Sequence, residues 1–599
     1  MADSVSNIQA PSGQPFIDHA VDVCVVGGGM AGVSAALAAA RHGAKVVLMQ
    51  DRPVLGGNSS GETRIHVCGA DRHNSIKHMR ETGILEELRL ENLRRNPQRS
   101  YSLWELVLYE KVHCQPNITL LLNCSCLAAE MDGPSVRRVT GWQLTTQSYH
   151  RVSAAVFIDC SGDGILAPLT GAPARRGREG RDEFGESIAP AAADERTMGM
   201  TCLFHARRHA TGQPFEPPLW AHRYDRCEDL PYGRGGHQWI EMGYWWIELG
   251  GEYDSIADTE VLRDELLKIT LGVWDHIKNR CPDRARADCW ALDWLGYLPA
   301  KRESRRYVGE HVLCQKDLES GGKFEDVVAY GGWSMDDHHP AGFRAAGRGE
   351  PATVFHPCPS PYGIPYRALY SRAIDNLMFA GRCASCTHAA MSSTRVMGTG
   401  ASMGQAAGTA AAMAAARGVR PLAIGACIRD LQQTLLRDDA YLPWVRQELS
   451  AAVMGARLTT SQGDGEGVRD GINRQVGEDL HCWTSRPGDW IAYEFAACAV
   501  SETTLILDSD LARDPQMTHH HPSVEYLSMP PVLPRRFRLE MKVEGQWHPL
   551  AAVSDNADRL VRIAVARTVE GLRYTLDETW GQAPGGSRLY AFYFDCLRH

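Results

Sequence analysis

The spacing of apolar and polar positions changes several times along this 599-residue chain, and each change marks a predicted element. VDVCVVG, residues 21–27, is a short apolar run of the kind that forms a buried strand. The alanine-rich GMAGVSAALAAARHG that follows is a helix ending at Gly43, and KVVLM is a second strand. Helix-like segments alternate over 74–112 (IKHMRETGILEELRLEN, SLWELVLYEKVH). NITLLLNCSCLAAEM and VSAAVFIDCSGDG are strands, the second running into a glycine-punctuated turn that contains Asp163. From about 195 to 350, Trp, Tyr and His become dense. One amphipathic helix stands out there after Asp258, with Leu262, Leu266, Ile269, Val273 and Ile277 on one face. IDNLMFAGRCASC is a strand running into a turn, and MGTGASMGQAAGTAAAMAAARG is a helix whose small residues permit close approach to its neighbours. Beyond about 470, WIAYEFA, TTLILDSDL, RLVRIAVA and SRLYAFYFDCL are strands with no helix-length period between them.

These elements predict an α/β protein of several domains, as the length requires. The expected order is a flexible lead-in (1–19), a dinucleotide-binding domain (20–195), and an inserted α+β substrate domain (196–355). The dinucleotide domain then returns with further helices (356–460), and a C-terminal β-sandwich closes the chain (470–599). Composition is ordinary for a globular protein, at 44% apolar and 23% charged. The net charge of −9 argues against a nucleic-acid or anionic-membrane partner, though not against a small anion in a local basic pocket. No run approaches the roughly 18 apolar residues of a membrane helix. The start has neither a basic n-region nor an apolar h-region, so no signal peptide is expected. The 18 cysteines are scattered through apolar strands, which suits reduced core thiols in a cytoplasm.

Chemistry enters at the first turn. Gly27, Gly29 and Gly32 stand between a strand and a helix, at the spacing of a dinucleotide fingerprint. The first glycine makes the tight turn, the second admits the pyrophosphate and the third allows close helix–strand packing. Such sites usually end the next strand in Glu or Asp to hold the ribose hydroxyls; here that place reads Met49-Gln50-Asp51. An amide still donates to and accepts from hydroxyls, so Gln50 forfeits a charge but no hydrogen bond. Asp51 serves if the strand ends one residue later, with Arg52 near the adenosine.

Four stretches together resemble one family: GGGMAG with DRPVLGGNSS, LPAKRESRRYVGEHVL, GGWSMDDHHP, and NLMFAGRCASCTHAAMSSTRVMGTGASMGQAAGTAA. They are similar to FAD-dependent oxidoreductases distantly related to the fumarate reductase and succinate dehydrogenase flavoproteins, over roughly residues 20–455. The tail resembles a discoidin-like, galactose-binding-type sandwich. The resemblance implies FAD in a glutathione-reductase-like Rossmann domain, held in part by Met30, Ala31 and Asp163. It places Gly56, Gly57, Asn58 and Ser59 along the pyrophosphate and flavin. Gly381 and Arg382 would end the strand nearest the ribityl chain. The segment from Ser393 to Gly404, with Arg395, Gly400 and Met403, would carry the flavin's pyrimidine edge onto a helix N-terminus. A reduced flavin is often anionic there, and unpaired helix N–H groups with an arginine favour negative charge. Arg395 is either that partner or a loop cap.

Flavin supplies an electron sink, so the protein must orient a C–H bond and manage a proton. Oxidising an alcohol calls for a base near neutral pH, which favours His338, oriented by Asp336 on the same loop. His388 is a second candidate, placed beside the flavin by the resemblance. Arg302 and Arg305 are candidate substrate anchors in the densest basic cluster, or members of a structural network with Glu303 and Glu310, and Trp333 is a candidate substrate contact. Cys383 and Cys386 offer a redox pair or half a metal site, but no second ligand pair at zinc spacing follows, so no metal is expected. His519–His521 suit a solvated loop better than a metal. The expectation is an FAD-dependent oxidoreductase passing a hydride between a polar, carbohydrate-like alcohol and flavin N5. The alternatives are a reductase of activated double bonds, and a flavin-binding scaffold whose sandwich binds glycan or partner. The electron acceptor and oligomeric state stay open.

Overall fold

The first strands owe their depth to unbroken apolar runs. In the computed structural model, which describes residues 14–241, 244–518 and 528–596, Val23, Cys24 and Val25 are completely buried. They lie in β1 (Phe16–Val26), followed by α1 (Met30–Arg41), β2 (Val46–Met49), β3 (Ile118–Leu121), β4 (Cys124–Asp132), β5 (Ser135–Gln143) and β6 (Ser148–Asp159). The sheet order is β3-β2-β1-β6-β5-β4, and the late strand Leu377–Phe379 adds to β6. β3, β2, β1, β6 and Leu377–Phe379 run parallel, whereas β4 and β5 join antiparallel. Register brings Val26, Met49, Asp159 and Phe379 level, so four strand ends open on one edge, where sheet ligands bind.

β1 corrects the expected lead-in, because it begins at Phe16 and pairs with β6 from Tyr149 onward. Its first half alternates and is largely exposed, so the sequence there has the look of a polar tail. Residues 1–13 lie outside the described ones.

The helix Met397–Arg417 packs on α1 through its small residues. A Cβ on Gly404 would lie 2.0 Å from the Ala31 carbonyl oxygen, and one on Gly408 2.1 Å from that of Ala35. No side chain fits at such separations, so the four-residue glycine spacing sets how closely the two helices meet.

The region 196–355 stays in the same compact unit as this sheet. The strands Phe204–Arg208 and Trp290–Leu295 pair antiparallel. The helix Thr259–Asp275 buries Leu262, Leu266, Ile269 and Val273 as its period predicts, then widens into a π-helical turn, His276–Arg280. The expected loop around His338 is instead a strand, Met335–His338, paired with Thr353–His356. Its polar MDDH hides the strand period from sequence analysis.

A second compact unit comprises Ala70–Leu103, Ile428–Gln516 and Ser523–His599. Two of its segments were expected in the nucleotide domain. Helix Ile84–Arg95 belongs here, as does helix Ile428–Arg437. The buried Arg80 ties the first segment to the rest, pairing with Glu86 at 2.6 Å and donating to the carbonyls of Ser509, Asp510 and Arg513. Burial alone would raise the Glu86 carboxyl, but Arg80 prevails and holds it down at about 2. The strands form one antiparallel sheet in the order Trp483–Ser485, Ser587–Cys596, Trp490–Leu507, Leu560–Thr579, Pro534–Val543, Gln546–Val553. Arg457–Thr460 adds to Trp490–Leu507 ahead of the expected boundary.

Candidate functional site

A cavity of about 620 Å³ opens at the four strand ends, within the range of small-molecule and cofactor pockets. Its lining includes Gly27, Gly29, Met30, Ala31, Gln50, Asp51, Arg52, Gly56, Gly57, Asn58, Asp163, Gly381, Arg382, Arg395 and Gly400. The fingerprint glycines divide the work as their spacing implies. A Cβ on Gly27 would sit 2.5 Å from the Cys160 backbone, and one on Gly32 would sit 1.8 Å from the Gly27 carbonyl oxygen. Gly29 meets nothing closer than Gly57, at 3.8 Å, leaving backbone open to a ligand. Gly32, Ser59 and Met403 do not line the cavity. Ser59 is buried in the loop frame, donating to the Gly56 carbonyl and accepting from the Trp104 indole at 3.1 Å.

Gln50 lines the cavity, but its carboxamide serves the loops. Its Oε1 accepts from the Gly28 N–H at 2.7 Å, and its Nε2 donates to the Val54 carbonyl at 3.2 Å. The exposed carboxylate next to it is Asp51, beside Arg52.

Lys301, which the sequence left out in favour of Arg302 and Arg305, also lines the cavity. It pairs with Asp163 at 2.7 Å, Ser304 donates to the same carboxylate, and Arg382 approaches it at 3.4 Å. Burial would push the Asp163 carboxyl up, yet Arg382 and Lys301 hold it below the usual range. Nη1 of Arg382 and Nε of Arg395 are buried with no hydrogen-bond partner among the described residues. Open glycine backbone on one side and unsatisfied guanidinium donors on the other suit an anionic dinucleotide. The N-terminal turn of helix Met397–Arg417 contributes Met397 and Gly400 to the same wall.

Behind Arg395 runs a buried chain of ions. Arg395 donates to Asp336 at 3.2 Å, and Asp336 faces His338 Nε2 at 3.1 Å. His338 Nδ1 faces Glu248 at 2.7 Å, and Glu248 pairs with Arg302 at 3.2 Å. Burial and Arg302 oppose charge on His338, but Asp336 and Glu248 outweigh them and raise it. A parallel cluster holds His388 between Glu303 at 2.8 Å and Asp337 at 3.2 Å, with Arg306 bridging Glu303 and Glu179. Burial again disfavours the charge, yet the two carboxylates keep His388 protonated to about 10.

The structure thus brings Asp336 and His338 together, and adds Glu248, which nothing in the local sequence marks. It does not place His338, His388, Asp336, Arg302, Arg305 or Trp333 among the lining residues. Both ring nitrogens of each histidine already face carboxylates, so neither offers a lone pair to take a proton. Arg302 is buried in the chain described, and Arg305 donates to the Asp163 carbonyl at 3.3 Å. Cys383 and Cys386 are buried and burial pushes both thiols up, Cys386 to about 12, which makes them poor nucleophiles. His519–His521 lie outside the described residues. Among the described residues no single helix is long and apolar enough to cross a membrane.

A family profile described as FAD dependent oxidoreductase matches residues 22–435. Among solved structures, a geranylgeranyl bacteriochlorophyll reductase-like protein from Thermoplasma acidophilum is 12% identical, over 70% of this chain and 86% of that one, with a TM-score of 0.30. p-Nitrophenol 4-monooxygenase from Pseudomonas putida is 13% identical, over 49% and 70%, with a TM-score of 0.26. A family 32 carbohydrate-binding module from Streptococcus pneumoniae EndoD is 16% identical, over 25% and 100%, with a TM-score of 0.20. Similarity at these scores bears on neither substrate nor chemistry. No curated protein matches at a significant level.

Proposed function

The chain belongs to the FAD-dependent oxidoreductase family, and from that premise we propose that it passes a hydride between flavin N5 and a carbon of a small, polar, carbohydrate-like alcohol. FAD supplies the two-electron sink when bound; binding, orientation and charge fall to the chain. Gly29 leaves backbone open to the phosphates, and Arg382 and Lys301, balanced by Asp163, set the potential of the adjoining wall. The observation that carries the reading is Arg395, which lines the cavity and is held by the buried chain through Asp336 to Glu248 and Arg302. A guanidinium fixed in this way anchors a substrate oxygen by charge-assisted hydrogen bonds.

One observation favours a second reading, reduction of an activated double bond. Carboxylates on both sides of each ring raise His338 above its ordinary value and hold His388 at about 10, which suits keeping a proton better than taking one from an alcohol. The two directions separate in one anaerobic experiment on the holoenzyme. Bleaching of the flavin absorption by polyols or glycosides supports oxidation. Reoxidation of the photoreduced enzyme by activated alkenes alone supports the reductase. A flavoprotein indifferent to both sets sinks the reading and leaves the scaffold.

A further inference from the structure

In the inserted region, four side chains that no cofactor argument uses converge on one buried point. Cys227 opens a short 3-10 turn, and His237 follows the single helical turn Gly233–Gly236. His276 begins the π-helical turn that ends the long helix, and Cys281 comes directly after it. All four are buried, and their ligand atoms lie within 4.8 Å of one another. The Cys227 and Cys281 sulfurs are 3.8 Å apart. Cys227 Sγ lies 3.5 Å from His276 Nε2 and 3.4 Å from His237 Nε2, and Cys281 Sγ lies 4.0 Å from His237 Nε2.

Those four separations lie close to edges of a tetrahedron, and the remaining two are within 4.8 Å. Zinc–sulfur bonds of about 2.3 Å and zinc–nitrogen bonds of about 2.0–2.1 Å give edges of roughly 3.8 Å between sulfurs and 3.5 Å between sulfur and nitrogen. A disulfide would need the sulfurs at about 2.05 Å. We propose that Cys227, His237, His276 and Cys281 bind one structural zinc ion.

The surroundings support that assignment. His276 Nδ1 lies 3.0 Å from the Tyr224 carbonyl, which fixes the tautomer that presents Nε2. The Asp283 N–H donates to Cys281 Sγ at 3.4 Å, as suits a thiolate. Two thiolates, two neutral imidazoles and a divalent cation sum to zero charge, which a buried site tolerates. The π turn matters because it closes on Cys281 N–H donating to the His276 carbonyl, at 2.7 Å. An i to i+5 closure brings those two residues to one face, where an α-helix would turn them apart. The ligand spacing, Cys-x9-His-x38-His-x4-Cys, matches no short zinc pattern, which is why the sequence reading expects no metal. The ion would pin the turn carrying Leu230 and Tyr232 to the helix end. Tyr232 packs on Trp246 at 4.6 Å, and Trp246 on His338 at 6.3 Å, so the pin braces the wall behind Arg395.

The test uses full-length holoenzyme, purified without chelators or a metal-binding tag. Metal analysis should find about one zinc per chain, released when a mercurial blocks the thiolates and counted with a colorimetric chelator. Cys227→Ser and His237→Asn should each lower zinc content about tenfold while FAD stays bound. Cys289→Ser and the triple change His519→Ala, His520→Ala, His521→Ala should retain it. If the ligand variants do not fold, the wild-type chain decides alone. Absence of stoichiometric zinc, iron in its place, or a Cys227–Cys281 disulfide in the native mass spectrum overturns the proposal.

Discussion

The rim of the cavity is made of backbone, and the wall behind Arg395 is made of charge. At the rim, Gly27 and Gly29 act by lacking side chains, with Gly32 packed behind the turn, and one unbroken stretch of sequence supplies the geometry. In the wall, Arg302, Glu248, the strand bearing Asp336 and His338, and Arg395 come from distant segments, and each pairs with the next. The rim therefore answers to steric change and hardly to pH, whereas the wall answers to charge and pH. Each prediction below presses on one side of that contrast.

The largest effect is expected at His388. His388→Gln leaves the buried Glu303 and the half-buried Asp337 without the cation between them, at a cost of about 3 kcal/mol. The folded-state value near 10 stands above the ordinary 6.5, so this contribution is fully present below about pH 6.5 and is lost as pH rises through about 10. Denaturant titrations across that window should show wild-type stability falling, with the His388 share of the decline gone in the variant. Equal stability of the two proteins near neutral pH would remove charge as the organising element of the cluster that runs parallel to the wall.

Gly404→Ala tests the steric side and should be next in size. The new methyl would meet the Ala31 carbonyl oxygen at 2.0 Å, forcing apart the two helices whose N-terminal turns adjoin the cavity. Overpacking of this kind costs about 1–3 kcal/mol. The purified variant should hold markedly less flavin by absorbance, to a degree independent of pH. Full flavin content would mean that glycine spacing does not set the rim.

Arg382→Gln removes one of the two cations beside Asp163, and with it a buried N–H that has no partner among the described residues. Loss of one charge-assisted contact should weaken FAD binding about tenfold, roughly 1.4 kcal/mol. Fluorescence titration of the apoprotein checks this, and an unchanged Kd would take Arg382 out of the site.

The same contrast explains what the sequence could tell. The glycine fingerprint, the buried strand runs and the small-residue helix were legible because their physics is local, a matter of spacing within one or two turns. The wall was legible only in fragments. Asp336 and His338 meet, and their neighbourhood is legible, because both sit on one strand, two residues apart. Glu248 was invisible, since nothing in IELGG distinguishes a buried ion-pair partner from a surface glutamate. Lys301 was passed over because KRESRR gives no sign of which cation turns to the cavity. The boundary at Ile428 was missed because the helices beyond it keep the same amphipathic look while packing in another unit.

Gln50 joins the two sides and should give the smallest effect. It stands at the ribose position of the rim, yet its carboxamide acts as a side-chain brace, accepting from Gly28 and donating to Val54. Gln50→Glu would restore the residue usual for such sites and keep the acceptor that Gly28 requires at 2.7 Å. It would also replace the Nε2 donor with a carboxylate oxygen facing the Val54 carbonyl. Losing one neutral hydrogen bond costs about 0.5–1.5 kcal/mol, and a carboxylate gripping the ribose would offset part of that. FAD affinity should therefore move by less than about tenfold, with a small loss of thermal stability as its companion. If Glu at this position instead tightened FAD severalfold at unchanged stability, the ribose would be the main partner of residue 50 and the Val54 contact incidental. If stability fell sharply while affinity held, the brace would be the whole role of Gln50, and Asp51 would be left as the carboxylate at the ribose place.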